Sequence, residues 1–197
     1  MGIFLMALGL FLAGWPLLAE TYAAWQQETS LSSLEEGVPE DNPVLAGEAP
    51  SNLSQEAARQ VGPHVLHPPF ILEIPALNLK VAVGDGTDPA TLKKGPGLYH
   101  EGSLPGEGGN VAIAGHRTTY GAPFRHVDEL KPGDLMILRK GTVTYVYRFT
   151  QMWVVEPTDW SPIAPTDVPS LTLTTCHPPG SAAYRLIIRG ELEPSIP

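Results

Sequence analysis

A chain of 197 residues has room for one domain of ordinary size plus accessory segments, with enough interior for a hydrophobic core. Its one cysteine excludes an internal disulfide, and a formal net charge of −9 without clustered Lys and Arg excludes a nucleic-acid binder. The acidity is uneven: residues 20–67 hold eight Asp and Glu against Arg59 alone, whereas the remainder is nearly neutral.

In chain order, residues 2–18 (GIFLMALGLFLAGWPLL) contain no charged side chain and, continued through weakly polar residues to Trp25, are long enough to cross most of a bilayer. Trp15, Tyr22 and Trp25 stand where an interfacial aromatic belt would lie. Residues 1–25 therefore read as an N-terminal transmembrane anchor, with a cleaved signal segment as the alternative; either sends the rest of the chain across a membrane. Residues 26–69 form an acidic linker rich in Pro, Ser and Glu, too poor in large apolar groups to offset its ordering entropy. Within it a short helix is expected over 55–61, capped by Ser51 or Ser54 and stopped by Gly62 and Pro63.

From Phe70 to the end, residues 70–197 change to short strands punctuated by Gly, Pro and Asp. Strands are predicted over 70–77, 79–83, 110–116, 134–140, 142–157 (two strands with a break near Thr150), 170–176 and 184–192. Only DPATLKK and APFRHVDEL look like helical turns. This spacing predicts a mostly β domain, a closed or nearly closed barrel or sandwich, whose site comes from strand ends and loops on one rim.

The chemistry sits at strand ends. In SLTLTTC (170–176), Leu171, Leu173 and Thr175 face one way and Thr172, Thr174 and Cys176 the other, so the thiol lies on the polar face at the last residue. In NVAIAGH (110–116), His116 ends a strand face of small residues, Ala112 and Ala114, which leave room for a substrate. An imidazole suits the proton transfers that thiol acylation requires. His177 adjoins the cysteine but points away from it along a strand, and no motif surrounds His64, His67, His100 or His126. An oxyanion needs a cation, and in YRLIIRG (184–190) Arg185 and Arg189 share one face; both are eligible. No paired His or Cys spacing suggests a metal, and no cofactor is implied.

TLTTC (172–176), AGHR (114–117) and RLIIRG (185–190) together resemble the sortases, cysteine transpeptidases that attach surface proteins to the bacterial envelope. The stretch 99–124 with TTCHP is most similar to class E, with classes D and F next. The resemblance spans about Ile71 to Leu192 and implies a sortase-like closed barrel of about eight strands. It also implies Cys176 as nucleophile, His116 as acid and base, and Thr175 as a residue shaping the substrate site. The class E spacing, nine positions after the cysteine, implies Arg185; the thirteen-position spacing of other sortases would take Arg189. The implied substrate is a sorting signal such as Leu-Pro-x-Thr-Gly or Leu-Ala-x-Thr-Gly, cut between Thr and Gly. The implied acceptor is an amine on a wall precursor or a pilin lysine. A cysteine hydrolase on the same barrel and a non-catalytic binding module are the rival readings. The implied location is the cell membrane, single-pass, with the barrel extracytoplasmic.

Overall fold

Period-two alternation of β-branched and polar residues builds a wall with one apolar face, and closing that wall on itself buries the face without leaving an open edge. The computed structural model describes residues 21, 25–35 and 65–194. Eight strands close into a barrel: β1 (Phe70–Ile74), β2 (Leu79–Asp85), β3 (Gly97–Leu98), β4 (Asn110–Ala114), β5 (Leu135–Lys140), β6 (Val143–Val155), β7 (Ser170–His177) and β8 (Tyr184–Leu192). Around the barrel the order is β1-β2-β3-β4-β7-β8-β6-β5, and β5 returns to β1. The β2–β3 and β4–β7 pairs are parallel; the others are antiparallel.

The predicted faces hold. Val111 and Ile113 of β4 and Leu171 and Leu173 of β7 enter the core beside Phe70, Leu72, Met136 and Ile188. All five residues of β4 are buried, so this central strand is covered on its outer side as well. That outer cover is the long β6–β7 connection, residues 156–169, and beneath it lies the site.

Several elements differ from the sequence reading: β4 ends at Ala114, short of the predicted end at His116, β7 runs on to His177, and three further strands depart as follows. The predicted strand over 70–77 ends at Ile74, because Pro75 opens a 3-10 turn closed by Asn78 in the left-handed region (φ 49°). The two strands expected over 142–157 are one strand, β6, whose register shifts between Phe149 and Gln151. That bulge sits where β6 leaves β5 for β8, bending one strand across two partners. Strand β3, two residues long, carries too few positions for an alternation to register.

Residues 25–35, all but Trp25 placed in the linker by composition, form helix α1. Gln27 of α1 donates from Nε2 to the carbonyls of Ala82 (3.3 Å) and Lys94 (2.6 Å), and its Oε1 accepts from the Ala82 amide at 2.8 Å. One side-chain amide thus completes the outward edge of β2 as a neighbouring strand would. The four-residue helix α2 (Pro89–Leu92) starts where its sequence says: Asp88 caps it, accepting from the Ala90 and Thr91 amides, with Pro89 at the first position. The expected helix over 55–61 and the expected membrane anchor over 1–25 lie outside the described residues, apart from residues 21 and 25. Among the described residues no helix is long and apolar enough to cross a membrane.

Candidate active site

Parallel pairing of β4 with β7 sets Ala114 beside Thr174, and the Gly115 amide extends the ladder by donating to the Thr174 carbonyl at 3.1 Å. Continued along the chain, that register brings His116 level with Cys176, and both line one groove of about 410 Å³. Thr175 also lines it, but its buried hydroxyl donates to the Gly115 carbonyl at 2.7 Å. Its contribution is thereby to pin the chain end that carries the histidine, with no hydroxyl left over for a ligand to take as donor.

The imidazole is half-buried, and desolvation pushes its pKa below the ordinary histidine value, so it is neutral at pH 7. Tyr120 tilts over it, ring centroids 5.0 Å apart. The loop that carries Tyr120 bends through left-handed backbone at Tyr120, Gly121 and Ala122 (φ 51°, 74° and 45°). Arg117 holds this loop from beneath: almost fully buried, it donates from Nε to the Arg125 carbonyl (3.0 Å) and pairs through Nη2 with Asp128 (2.7 Å). Its Nη1 is buried without a partner among the described residues. The AGHR stretch therefore supplies a structural arginine next to its histidine, a role that spacing alone does not reveal.

The two arginines of β8 separate by register. Arg185 lies directly across from Cys176 and lines the groove. Its Nη1 donates to the carbonyls of Ala182 and Tyr184, both at 3.0 Å, which leaves the Nε and Nη2 protons of the fork for a ligand. Arg189 lies across from Thr172, four residues from the cysteine, about 13 Å along the strand. Its Nε donates to Thr172 Oγ1 (3.1 Å), its Nη2 to the Pro162 carbonyl (2.6 Å), and its guanidinium covers the Trp153 ring at 5.1 Å.

The sequence reading placed the site on strand ends and loops at one rim, and the loop part forms a wall. Trp160, Pro162 and Ile163 of the β6–β7 connection stand over the outer face of β4, β7 and β8 and close one side. Tyr99, following β3, donates to or accepts from Thr174 Oγ1 at 2.9 Å and meets Trp160 edge-on at 6.4 Å. The available signal was a long Pro-rich connection holding a tryptophan, the kind of loop that is long for a functional reason. The remaining described histidines stand apart: His67 is exposed ahead of β1, His100 pairs with Asp85 (2.8 Å), His126 with Glu129 (2.7 Å), and His177 ends β7 outside the groove.

A sortase-domain family model matches residues 72–193. Sortase D of Bacillus subtilis (strain 168) is 30% identical over 195 residues, covering 96% of this chain and 96% of that protein. The crystal structure of sortase E1 from Streptomyces coelicolor with a tripeptide in the active site has a TM-score of 0.60 at 30% identity, over 64% of this chain and 87% of that one. The structure of Clostridium perfringens sortase C with the C-terminal cell wall sorting motif has a TM-score of 0.60 at 32% identity, over 67% of this chain and 74% of that one. Likeness to class D and to class E both fit the class reading of the sequence.

Proposed function

The chain belongs to the sortase family of cysteine transpeptidases, and from that premise we propose that Cys176, His116 and Arg185 transfer the acyl part of a C-terminal sorting signal to an amine of the cell envelope. The observation that carries this reading is one groove lined jointly by the thiol, the imidazole and the guanidinium of the residue paired with Cys176 on the neighbouring strand. Cys176 Sγ, as thiolate, attacks the threonine carbonyl of a Leu-Pro-x-Thr-Gly or Leu-Ala-x-Thr-Gly segment. The negative oxygen forms within reach of the Arg185 Nε and Nη2 protons, a planar fork suited to an oxyanion. The Thr–Gly bond breaks, the protonated His116 delivers its proton to the glycine amine, and a Cys176 thioester remains. An amine on a wall precursor or a pilin lysine then attacks the thioester, neutral His116 accepts the amine proton, and Cys176 leaves as the thiolate, restoring the starting thiolate and imidazolium pair.

The imidazole depressed by burial is neutral most of the time at pH 7, so the imidazolium that protonates the leaving amine is a minor population. The uncharged run over 2–18 supports a single-pass anchor that holds the barrel outside the cytoplasm, where tethered substrates gain effective concentration. Protease shaving of intact cells checks this: loss of the barrel with survival of the N-terminal fragment is expected, and a fully protected barrel would contradict it.

Incubation of the enzyme with a small set of Leu-x-x-Thr-Gly peptides, with and without an added amine, tests the reaction by the mass of the product. Threonyl-amine product that grows with amine concentration is expected. Release of free threonine carboxylate at a rate indifferent to amine would favour the hydrolase, and no product from any peptide would remove the proposed substrate class.

A further inference from the structure

Arg189, denied the cysteine by register, is committed to the wall of the groove. Three strands and one loop meet around it. Thr172 of β7, fully buried, donates to Asn110 Oδ1 of β4 at 2.7 Å while its oxygen accepts from Arg189 Nε. Asn110, also fully buried, spends both Nδ2 protons on loop carbonyls, those of Pro162 and Ala164, each at 2.9 Å. The Pro162 carbonyl therefore receives two donors, Asn110 Nδ2 and Arg189 Nη2, and its two lone pairs are filled. The clamped residues form a 3-10 turn, Ser161–Ile163, whose Ile163 and Ala164 amides close back onto Trp160 and Ser161. Pro162 and Ile163 are buried on this anchor, while Trp160 stands 63% exposed at the groove.

We propose that Arg189 is a positioning residue of the transfer reaction: with Asn110 and Thr172 it fixes the height of the Trp160–Ile163 wall over β7, and thereby sets how tightly the groove grips the peptide. The proposal rests on the function inferred above, because the wall matters only if a peptide lies under it. It separates the two arginines by duty. Arg185 acts on the reacting carbonyl; Arg189 acts on the ground-state grip, through the backbone of the loop. A lysine, a point charge on one nitrogen, cannot hold the Thr172 hydroxyl and the Pro162 carbonyl in the fixed fork that Arg189 uses.

Full-length Arg189→Met and Arg189→Lys are compared with wild type by steady-state kinetics on a Leu-Ala-x-Thr-Gly peptide with an added amine, and by amide hydrogen exchange. Both variants are expected to raise KM by about tenfold, the loss of roughly one hydrogen bond to a charged group, with kcat within about threefold. Exchange of the Ile163 and Ala164 amides accelerates while that of the β7 core amides at Leu171 and Leu173 stays put. Rescue by Lys would overturn the proposal in favour of a charge effect. A fall in kcat at constant KM would place Arg189 on the reacting atoms. A lower melting temperature with unchanged KM and loop exchange would reduce it to a structural role. If wild type turns over no peptide, the substrate reading fails, and exchange alone then judges the clamp: faster exchange confined to the loop upholds it, unchanged exchange ends it.

Discussion

Gly115 shows how little space separates packing from chemistry. A Cβ built there would meet the Phe124 ring at 2.5 and 2.6 Å, and Phe124 is fully buried, so neither can yield without moving the loop that begins at His116. Gly115→Ala should cost about 1–3 kcal/mol by overpacking and should lower activity further than stability alone explains, because His116 is the next residue. Thermal denaturation beside kcat/KM checks this; an active variant of wild-type stability would show that the tight contact is not respected in solution. His116 makes a second prediction. Its folded pKa lies below the unfolded value near 6.5, so the folded state binds fewer protons, and stability that is complete above the unfolded pKa falls as pH drops toward the folded one. Between pH 7 and pH 5 the loss in wild type should be larger than in His116→Asn, by a small margin because the ring is half in solvent; parallel curves would contradict the burial. At this scale the alternation rule was sufficient for the face of Cys176, although β7 runs one residue beyond it, to His177. It could not rank Arg185 against Arg189, because residues four apart on a strand share a face, and only the pairing of β8 with β7 tells which one meets the thiol.

Among the elements, α1 carries the largest departure from expectation. Its sequence, WQQETSLSSLE, lacks the continuous apolar stripe that normally announces a docked helix, and composition places all but Trp25 in a solvated spacer. What docks it is one glutamine, whose amide matches the outward-pointing N–H and C=O of Ala82 on β2, and a salt bridge between Glu35 and Lys80 adds a second tether. Gln27→Ala should release α1 and cost about 1–2 kcal/mol, the worth of two or three hydrogen bonds at a partly wet edge, with kcat/KM nearly unchanged because the groove lies elsewhere on the barrel. Faster amide exchange at Ala82, read against unaltered exchange in β7, is the measurement; unchanged protection of Ala82 would refute the docking. The β6–β7 connection was illegible for a different reason. Its backbone is held by the side chain of Asn110, 52 residues from Pro162 and 54 from Ala164, and no local signal reports such a bond.

For the whole molecule, the barrel was readable because each strand carries a clean inner face, and closure follows once every face must be buried. The order of strands was not readable. Placing β7 between β4 and β8, which is what gathers His116, Cys176 and Arg185, depends on long-range pairings that periodicity does not encode. The central claim is that the gathered groups act through a thioester on the one cysteine. Intact-protein mass spectrometry of the full-length enzyme, mixed with a Leu-Ala-x-Thr-Gly peptide in the absence of amine, tests it directly. The account predicts a mass increase equal to the acyl fragment through threonine, localised to Cys176, discharged on adding an amine, slowed at least about a hundredfold in Arg185→Ala and absent in Cys176→Ala. An adduct on any other residue, or peptide cleavage that persists in Cys176→Ala, would contradict it.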